Sequence, residues 1–470
     1  MVRHYGVIAF GTGSAMNIVS SLLESGYRKR IAVIENSMVG GICLTRGCIP
    51  SKMLLEVARS IKRAREVERF GAKVVVQPPD FAETMERVWR RISAESWEIE
   101  QSLRRYPRID FYHTTGTFVG DYTVDVGGRE IEGETILLCL GSRPAIPKVP
   151  GIEEVDYYTN DNFFRDLRKL PKRTVVVGGG FVGVELGFFL AMMGSQVTLL
   201  QRRSRILPEE EPEISEILME DLSRYMDIRV NHEVVEFRKS GDRKIVVAEN
   251  KLTGDNVEFE ADAILIASGR ASNSDITQPE KTGVKVDEKG WIVVDEYLRT
   301  SREGIWAFGD ATGRYMFKHK ANYESMIVYR NAFLGEQVKA EYHAVPHAIF
   351  TEPEVASVGM KEEEAAKKHD ILVGIATYSE TAKGEAMMAP DSYFVKVILD
   401  RETMRILGAH IIGPEASILI QEIVNLMYAD GTAEPIYRGM HIHPALSEVV
   451  ERAFYHLHEP GEWRRHVHAH

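Results

Sequence analysis

Gly40-Gly41-Ile42-Cys43-Leu44-Thr45-Arg46-Gly47-Cys48-Ile49-Pro50-Ser51-Lys52 decides how the rest of this chain is read. It holds two of only three cysteines in 470 residues, so the pair is no by-product of composition. Two glycines ahead of Cys43 let backbone lie close against a flat ring. Cys48-Ile49-Pro50-Ser51-Lys52 reads as a helix opening, where the dipole and nearby cations favour a thiolate. Arg46 adds positive charge if it points inward. The spacing of the two cysteines allows their sulfurs to reach bonding range across one helical turn. Three readings compete: a redox dithiol, half of a zinc site, and two inert thiols. Zinc needs two further ligands at suitable spacing. Cys139 lies far off in the apolar run Leu137-Leu138-Cys139-Leu140, where a core role is expected, so no metal is expected and the redox dithiol is carried forward.

Upstream, the apolar run Tyr5 to Phe10 feeds Gly11-Thr12-Gly13-Ser14-Ala15-Met16, and a helix is expected over 14–25. Gly11 permits the tight turn, and Gly13 lets backbone approach a pyrophosphate at a helix N-terminus. Met16 stands where a third glycine would allow close helix–strand packing, so packing there must differ. Glu35 ends the next strand, 24 residues after Gly11, where an acceptor for a ribose hydroxyl belongs. A second strand–turn–helix unit carries Gly178-Gly179-Gly180-Phe181-Val182-Gly183, with all three fingerprint glycines Gly178, Gly180 and Gly183. Its expected acid is missing: Gln201 stands 23 residues after Gly178, followed by Arg202, Arg203 and Arg205. An acid there would repel a 2′-phosphate, whereas arginines bind it through charge-assisted bonds. NADPH is therefore expected in preference to NADH, with Arg202 the main contact and a solvated basic turn the competing reading.

Further along, helices are expected over 51–69 and 82–105, a β-rich segment over 108–140, and a linker at Pro147 to Gly151. Gly304-Ile305-Trp306-Ala307-Phe308-Gly309-Asp310 reads as a strand with a terminal acid, and a mixed α/β texture begins near residue 341. The fold class is α/β: two Rossmann-like dinucleotide-binding units and a C-terminal α+β region. Hydrophobic residues make up 44% and charged residues 27%, ordinary for a globular enzyme. A net charge of −11 argues against general nucleic-acid binding. With no signal-peptide layout and no apolar run of about 20 residues, no membrane association and a cytoplasmic location are expected.

The string Gly-Gly-x-Cys-x4-Cys-Ile-Pro-Ser-Lys and the two nucleotide units in this order resemble the pyridine nucleotide–disulfide oxidoreductases over essentially the whole chain. That family includes dihydrolipoamide dehydrogenase, glutathione, mycothione and mercuric reductases. The resemblance implies an FAD domain over 1–150 and 271–340, an NAD(P)H domain over 151–270, and an interface domain over 341–470. It implies that Gly11, Gly13 and Glu35 hold the FAD pyrophosphate and ribose, and that Asp310 bonds the ribityl chain. Lys52 matches the lysine near flavin N5, and Glu185 the glutamate paired with it. Gly116, Gly141 and Ser142 match further FAD-lining positions, and His319 lies in the segment 317–322 that faces the flavin pyrimidine edge. In the second unit, Gly178, Gly180, Gly183, Gly269, Arg202 and Arg203 would serve the nicotinamide coenzyme. By the same analogy Cys48 is the flavin-proximal thiol and Cys43 the interchange thiol.

Thiol–disulfide exchange needs a proton donor for the leaving thiol and a base for the attacking one, and imidazole serves both. His443 and Glu448, in His441-Ile442-His443-Pro444-Ala445-Leu446-Ser447-Glu448, resemble the family's His-Pro-x-x-x-Glu pair. There the histidine reaches the active site of the partner subunit, which implies a homodimer. His441 is expected to be structural, and His456, His458, His466, His468 and His470 to form a solvated tail. The chain after Glu459 has no cysteine, unlike the metal-delivering pair of mercuric reductases. Lys318-His319-x-Ala321-Asn322-x-Glu324 and Gly11-Thr12-Gly13-Ser14 look most like mycothione reductases. The expected activity is reduction of a low-molecular-weight disulfide of a cellular thiol. NAD-linked dihydrolipoamide dehydrogenase is the alternative, followed by mercuric reductase and a flavin-bearing redox sensor.

Overall fold

The computed structural model describes residues 2–241 and 243–464. Strand β1 (Arg3–Phe10) is followed by helix α1 (Ala15–Glu24) and β2 (Ile31–Glu35). β1 and β2 pair in parallel, with Val7 opposite Ile31, and both are nearly continuous apolar runs. Parallel strands buried on both faces require such runs. Helices α2 (Gly41–Arg46), α3 (Cys48–Glu66) and α4 (Phe81–Arg105) come next. Asp80 caps α4 by accepting the Glu83 N–H at 2.9 Å. Strands β3 (Ile109–His113), β4 (Gly116–Gly120), β5 (Thr123–Val126) and β6 (Glu130–Leu138) complete a sheet ordered β3-β2-β1-β6-β5-β4. The chain returns to this sheet much later, when Ile305–Ala307 pairs in parallel with β6.

The second unit is a four-stranded parallel sheet of Asp227–Val230, Gln196–Gln201, Arg173–Val177 and Ala263–Ile266. A three-stranded antiparallel sheet lies beside it in sequence, over residues 232–261. Its helix Phe181–Met193 is apolar almost all round and buried along nearly its whole length, packed between its own sheet and α3. Phe188 and Phe189 are fully buried there, each side chain contributing about 1.5–3 kcal/mol. The C-terminal region is a six-stranded antiparallel sheet, with the long helix Ala416–Tyr428 packed on it. No described helix is long and apolar enough to cross a membrane.

The described part of the expected solvated tail, up to residue 464, packs on the C-terminal sheet, although His456 itself is exposed. Leu457–His458 adds a short strand to the edge of Ile371–Thr377, His456 pairs with Glu380, and Trp463 is 1% exposed. The Trp463 indole donates to Glu362, and its ring lies 4.6 Å from the Lys396 ammonium, which is itself fully buried. Apolar burial of one large ring, with its N–H satisfied, anchors the segment. His466, His468 and His470 lie outside the described residues.

Candidate active site

The first nucleotide turn is held open by its own side chains. Glu35 accepts from the Thr12 N–H and hydroxyl through one oxygen and from the Ser37 N–H and hydroxyl through the other. Thr12 Oγ1 in turn accepts the Gly40 N–H at 2.9 Å, which ties the turn to the dithiol loop. Gly11 has φ +87°, and a Cβ there would lie 2.4 Å from the Cys139 carbonyl. A Cβ on Gly41 would lie 2.7 Å from Gly13 Cα, so the two loops approach backbone to backbone. Met16 takes the third glycine position by packing partly buried against the core around α1. Gly116 and Gly141 line the cavity above this turn. Ser142 sits just behind it and donates to Asp310 at 2.6 Å. The Asp310 turn is braced by a buried Lys320–Glu324 pair, in which Lys320 reaches the Gly309 carbonyl and Glu324 accepts the Gly309 N–H. A helix N-terminus at the start of α1, the Glu35 carboxylate, and glycines at which a Cβ would meet neighbouring backbone make a set that fits FAD.

The dithiol lies where this cavity meets a larger one of about 1690 Å³; Cys43, Cys48 and Lys318 line both. Gly47 breaks the chain between α2 and α3 (φ −140°, ψ −117°), so Cys48 is the first residue of α3. Both thiols are free, and they hydrogen-bond to each other. Cys43 ionises at about 7: the Cys48 S–H bonded to it lowers it, burial opposes, and the Lys318 charge and helix N–H groups assist. Cys48 is pushed strongly upward as the donor of that bond, and burial adds to the effect. The pair therefore gives up one proton near neutrality and retains the second. Arg46 does not point at the sulfurs as its position suggested. It pairs with Asp161 at 3.1 Å and donates to Ser37 and Thr45, because a carboxylate outside the pair outcompetes two neutral thiols. Cys139 packs against the core around α1, as expected, and also lines the nucleotide cavity; burial pushes its thiol up to about 11.

Among the ion pairs that join the second unit to the first, one lines the larger cavity beside the dithiol. Lys52 Nζ, on α3, donates to both oxygens of Glu185 at 3.0 and 2.8 Å, and Glu185 is 5% exposed. Glu185 also accepts the Phe350 N–H at 3.0 Å, and the Phe350 ring lies 4.5 Å from the Lys52 ammonium. Gly180 and Gly269 line the larger cavity here. A Cβ on Gly183 would lie 1.9 Å from the Gly178 carbonyl, so the third glycine sets the close helix–strand contact. Gly178 itself has φ +112°. Arg202 and Arg203 are exposed beyond the end of the sheet, with a long contact to Glu233 and a 2.8 Å contact to Glu209 respectively. Gln201 is buried and accepts the Arg203 N–H. His319 lines the larger cavity, bonded to the Pro346 carbonyl and stacked on Phe317 with ring centroids 5.4 Å apart.

His443 stands apart. It bonds Glu448 at 2.8 Å, and the Ala445 N–H binds the other Glu448 oxygen. These contacts hold the Glu448 carboxyl below its usual range. The imidazole is 71% exposed and lines neither cavity that contains the dithiol. Met440 and Ile442 beside it are fully and largely exposed. His441 turns inward to the Ile436 carbonyl.

Three groups escaped sequence reasoning. Arg270 bridges Ser142 and Asn160, and Asn160 donates to the Arg46 carbonyl, so one guanidinium joins the Asp310 turn to the dithiol helix. His347 stacks on Phe317 and bonds Glu210, a buried carboxylate. Burial alone would raise Glu210, but the bond from His347 holds it low. Lys318 is the third. It was within reach, since it opens a segment already singled out; the other two have no local signal.

Residues 7–325 match the pyridine nucleotide-disulphide oxidoreductase family, and residues 345–454 match that family's dimerisation domain. Mycothione reductase of Mycobacterium tuberculosis is 36% identical over 462 residues, covering 96% of this chain and 98% of its own. Dihydrolipoyl dehydrogenase of Corynebacterium glutamicum is 31% identical, covering 96% of this chain and 98% of its own. Among solved structures, the HOCl-induced flavoprotein disulfide reductase RclA of Escherichia coli superposes with a TM-score of 0.83 at 29% identity, covering 96% of this chain and 99% of its own. The chain therefore belongs to the pyridine nucleotide–disulfide oxidoreductase family, with its α/β nucleotide-binding region, its C-terminal dimerisation domain, and its general FAD- and NAD(P)H-dependent activity on disulfides.

Proposed function

We propose that this enzyme reduces a low-molecular-weight disulfide of a cellular thiol, with NADPH as electron source and the Cys43–Cys48 dithiol as the reacting group. The observation that carries the reading is the hydrogen-bonded dithiol at the junction of the two cavities, with Cys43 ionising at about 7. FAD, when bound, relays the electron pair of the hydride to the Cys43–Cys48 disulfide. The Cys43 thiolate then attacks one substrate sulfur, forming a mixed disulfide and expelling the other as a thiolate. His443 of a second copy, oriented by Glu448, protonates that leaving group. Cys48, giving its proton to the now neutral His443, attacks Cys43 of the mixed disulfide; the intramolecular bond re-forms, and the second substrate sulfur leaves and takes that proton from His443. Two half-reactions of this kind give ping-pong kinetics. Lys52 and Glu185, at the wall between the nucleotide units, fix where the two cofactors approach. Arg202 and Arg203 support NADPH: both are exposed and cationic, Arg202 has only a 3.9 Å contact to Glu233, and Arg203 would exchange its surface pair with Glu209 for a 2′-phosphate.

Coenzyme oxidation with a panel of oxidised thiols, lipoamide and Hg(II) tests the assignment. NADPH consumption driven by a small thiol disulfide is expected, and Cys43→Ser should abolish it with FAD still bound. Rapid turnover of lipoamide with NADH would replace this reading with that of a dihydrolipoamide dehydrogenase.

A further inference from the structure

Phe181 opens the helix of the second nucleotide unit, directly after Gly180, and both line the larger cavity. The wall beside it is a set of packed rings. The His347 imidazole lies with its centroid 5.5 Å from Phe181 and 5.5 Å from Phe317, and these two phenyl rings stack on each other at 5.9 Å. All three line the cavity. His347 belongs to the short C-terminal strand His347–Ile349, yet its Nε2 reaches Glu210, in the turn that follows the arginines of the second unit. Neither residue is part of a glycine fingerprint or of the dithiol machinery.

Glu210 sets the tautomer of this histidine. It is 1% exposed, and its other oxygen accepts the Ser357 hydroxyl at 2.6 Å. Burial works to raise the carboxyl, but the bonds from His347 and Ser357 hold it low. An ionised carboxylate only accepts, so His347 must present Nε2–H to it. In the neutral imidazole the lone pair is then on Nδ1. Nδ1 has no hydrogen-bond partner among the described residues. Other polar side chains on this wall are committed: both Glu185 oxygens accept from Lys52, and His319 bonds the Pro346 carbonyl. A coenzyme whose pyrophosphate meets the start of the helix Phe181–Met193 extends its nicotinamide into this cavity. The nicotinamide carries one polar substituent, a carboxamide, whose N–H needs an acceptor.

We propose that His347, oriented by Glu210, binds the carboxamide N–H of the nicotinamide through Nδ1. A carboxamide held there stops the ring turning about its glycosidic bond, so one face is presented to the flavin. The contact rests on the family's use of a nicotinamide coenzyme, and is blind both to the 2′-phosphate and to which disulfide is reduced.

The test uses the oxidised, FAD-loaded enzyme, in which oxidised coenzyme binds without reacting. It is titrated by calorimetry with NADP⁺, with the 3-acetylpyridine analogue of NADP⁺, and with 2′-phospho-ADP-ribose. The analogue keeps the carbonyl but has no N–H; the last ligand has the pyrophosphate but no nicotinamide. His347→Phe keeps a flat ring beside Phe317 and has no acceptor. Its Kd for NADP⁺ should rise about tenfold, with the other two within about twofold of the unaltered enzyme. An unchanged Kd for NADP⁺ overturns the proposal. So does an equal rise for the analogue, which leaves stacking as the contact, and so does a rise for 2′-phospho-ADP-ribose, which assigns the ring to the pyrophosphate. If His347→Phe loses its fold or its FAD, His347→Gln, whose amide keeps a donor for Glu210, is read with the same three ligands and the same outcomes. Should NADH prove the better coenzyme, the three corresponding ligands without the 2′-phosphate give the same reading, so a wrong coenzyme preference and a wrong role for His347 fail separately.

Discussion

Replacing Cys48 by Ala tests how the dithiol is activated. The largest influence lowering Cys43 is the bond it accepts from Cys48; burial works against it, and the thiol ionises at about 7 in place of the usual 9.0. About half of Cys43 is then thiolate at pH 7, against about one part in a hundred for a thiol at about 9. In Cys48→Ala the donor is gone and burial remains, so Cys43 should return towards 9. The alkylation rate at a single pH reports this poorly. A roughly 50-fold loss of thiolate is offset about eightfold by the greater intrinsic nucleophilicity of the more basic sulfur, leaving about a sixfold slowing. The pH profile is the sharper readout. Iodoacetamide alkylation of the reduced protein, followed from pH 5.5 to 10, should show its midpoint move from about 7 to about 9. Cys139, raised to about 11, does not interfere over most of that range. A midpoint that stays at or below about 7.5 in Cys48→Ala would refute the reasoning and place the activating influence on Lys318 and the helix N–H groups.

Three other outcomes follow from the same structure. Lys396→Met leaves Glu362, Glu211 and Glu213, which lie 2.6, 3.3 and 3.8 Å from the Lys396 ammonium, without their cation, at a cost of about 3–5 kcal/mol. Burial would raise Glu362 but Lys396 holds it low, so the native protein gains stability above the ordinary carboxylate pKa and loses it as pH falls through the lowered one. In the variant Glu362 is raised, so the difference in thermal unfolding midpoint should be wider at pH 7.5 than at pH 5; equal differences would contradict the argument. Glu448→Gln removes the carboxylate that orients His443, so kcat should fall with little change in KM. Arg202→Ala should raise the KM for NADPH about tenfold and leave that for NADH within about twofold, since only the 2′-phosphate distinguishes them.

What the sequence made legible was local. The apolar run, glycine turn and acid of β1, α1 and β2 are contiguous signals, and so is the helix opening at Cys48. Lys52–Glu185 and His443–Glu448 were legible through resemblance, and the structure brings each pair into bonding distance. The misses are non-local. Arg46 finds Asp161, a residue on a different helix more than a hundred positions on, and nothing around Arg46 announces it. The segment 456–464 is anchored by Trp463 and Glu362, which meet only once the six-stranded sheet exists. Glu210 and His347 likewise belong to different sheets' surroundings and come together through tertiary packing alone. A periodicity argument sees which face of a strand is apolar, but not which distant partner a buried charge will choose.

The Lys52–Glu185 contact has a consequence for recombination. Its three participants come from the dithiol helix, the helix of the second nucleotide unit, and the C-terminal segment through the Phe350 N–H. The second unit looks like a detachable module, framed by its own sheet and its own glycines. A chimera that imports this unit from a relative to change coenzyme choice must nevertheless carry a carboxylate at position 185. Without it, Lys52 faces a wall with no counter-ion and the Phe350 N–H loses its acceptor, two defects in foreign territory from one missing side chain. The natural crossover points of this protein are therefore set less by where its sheets end than by this one shared carboxylate.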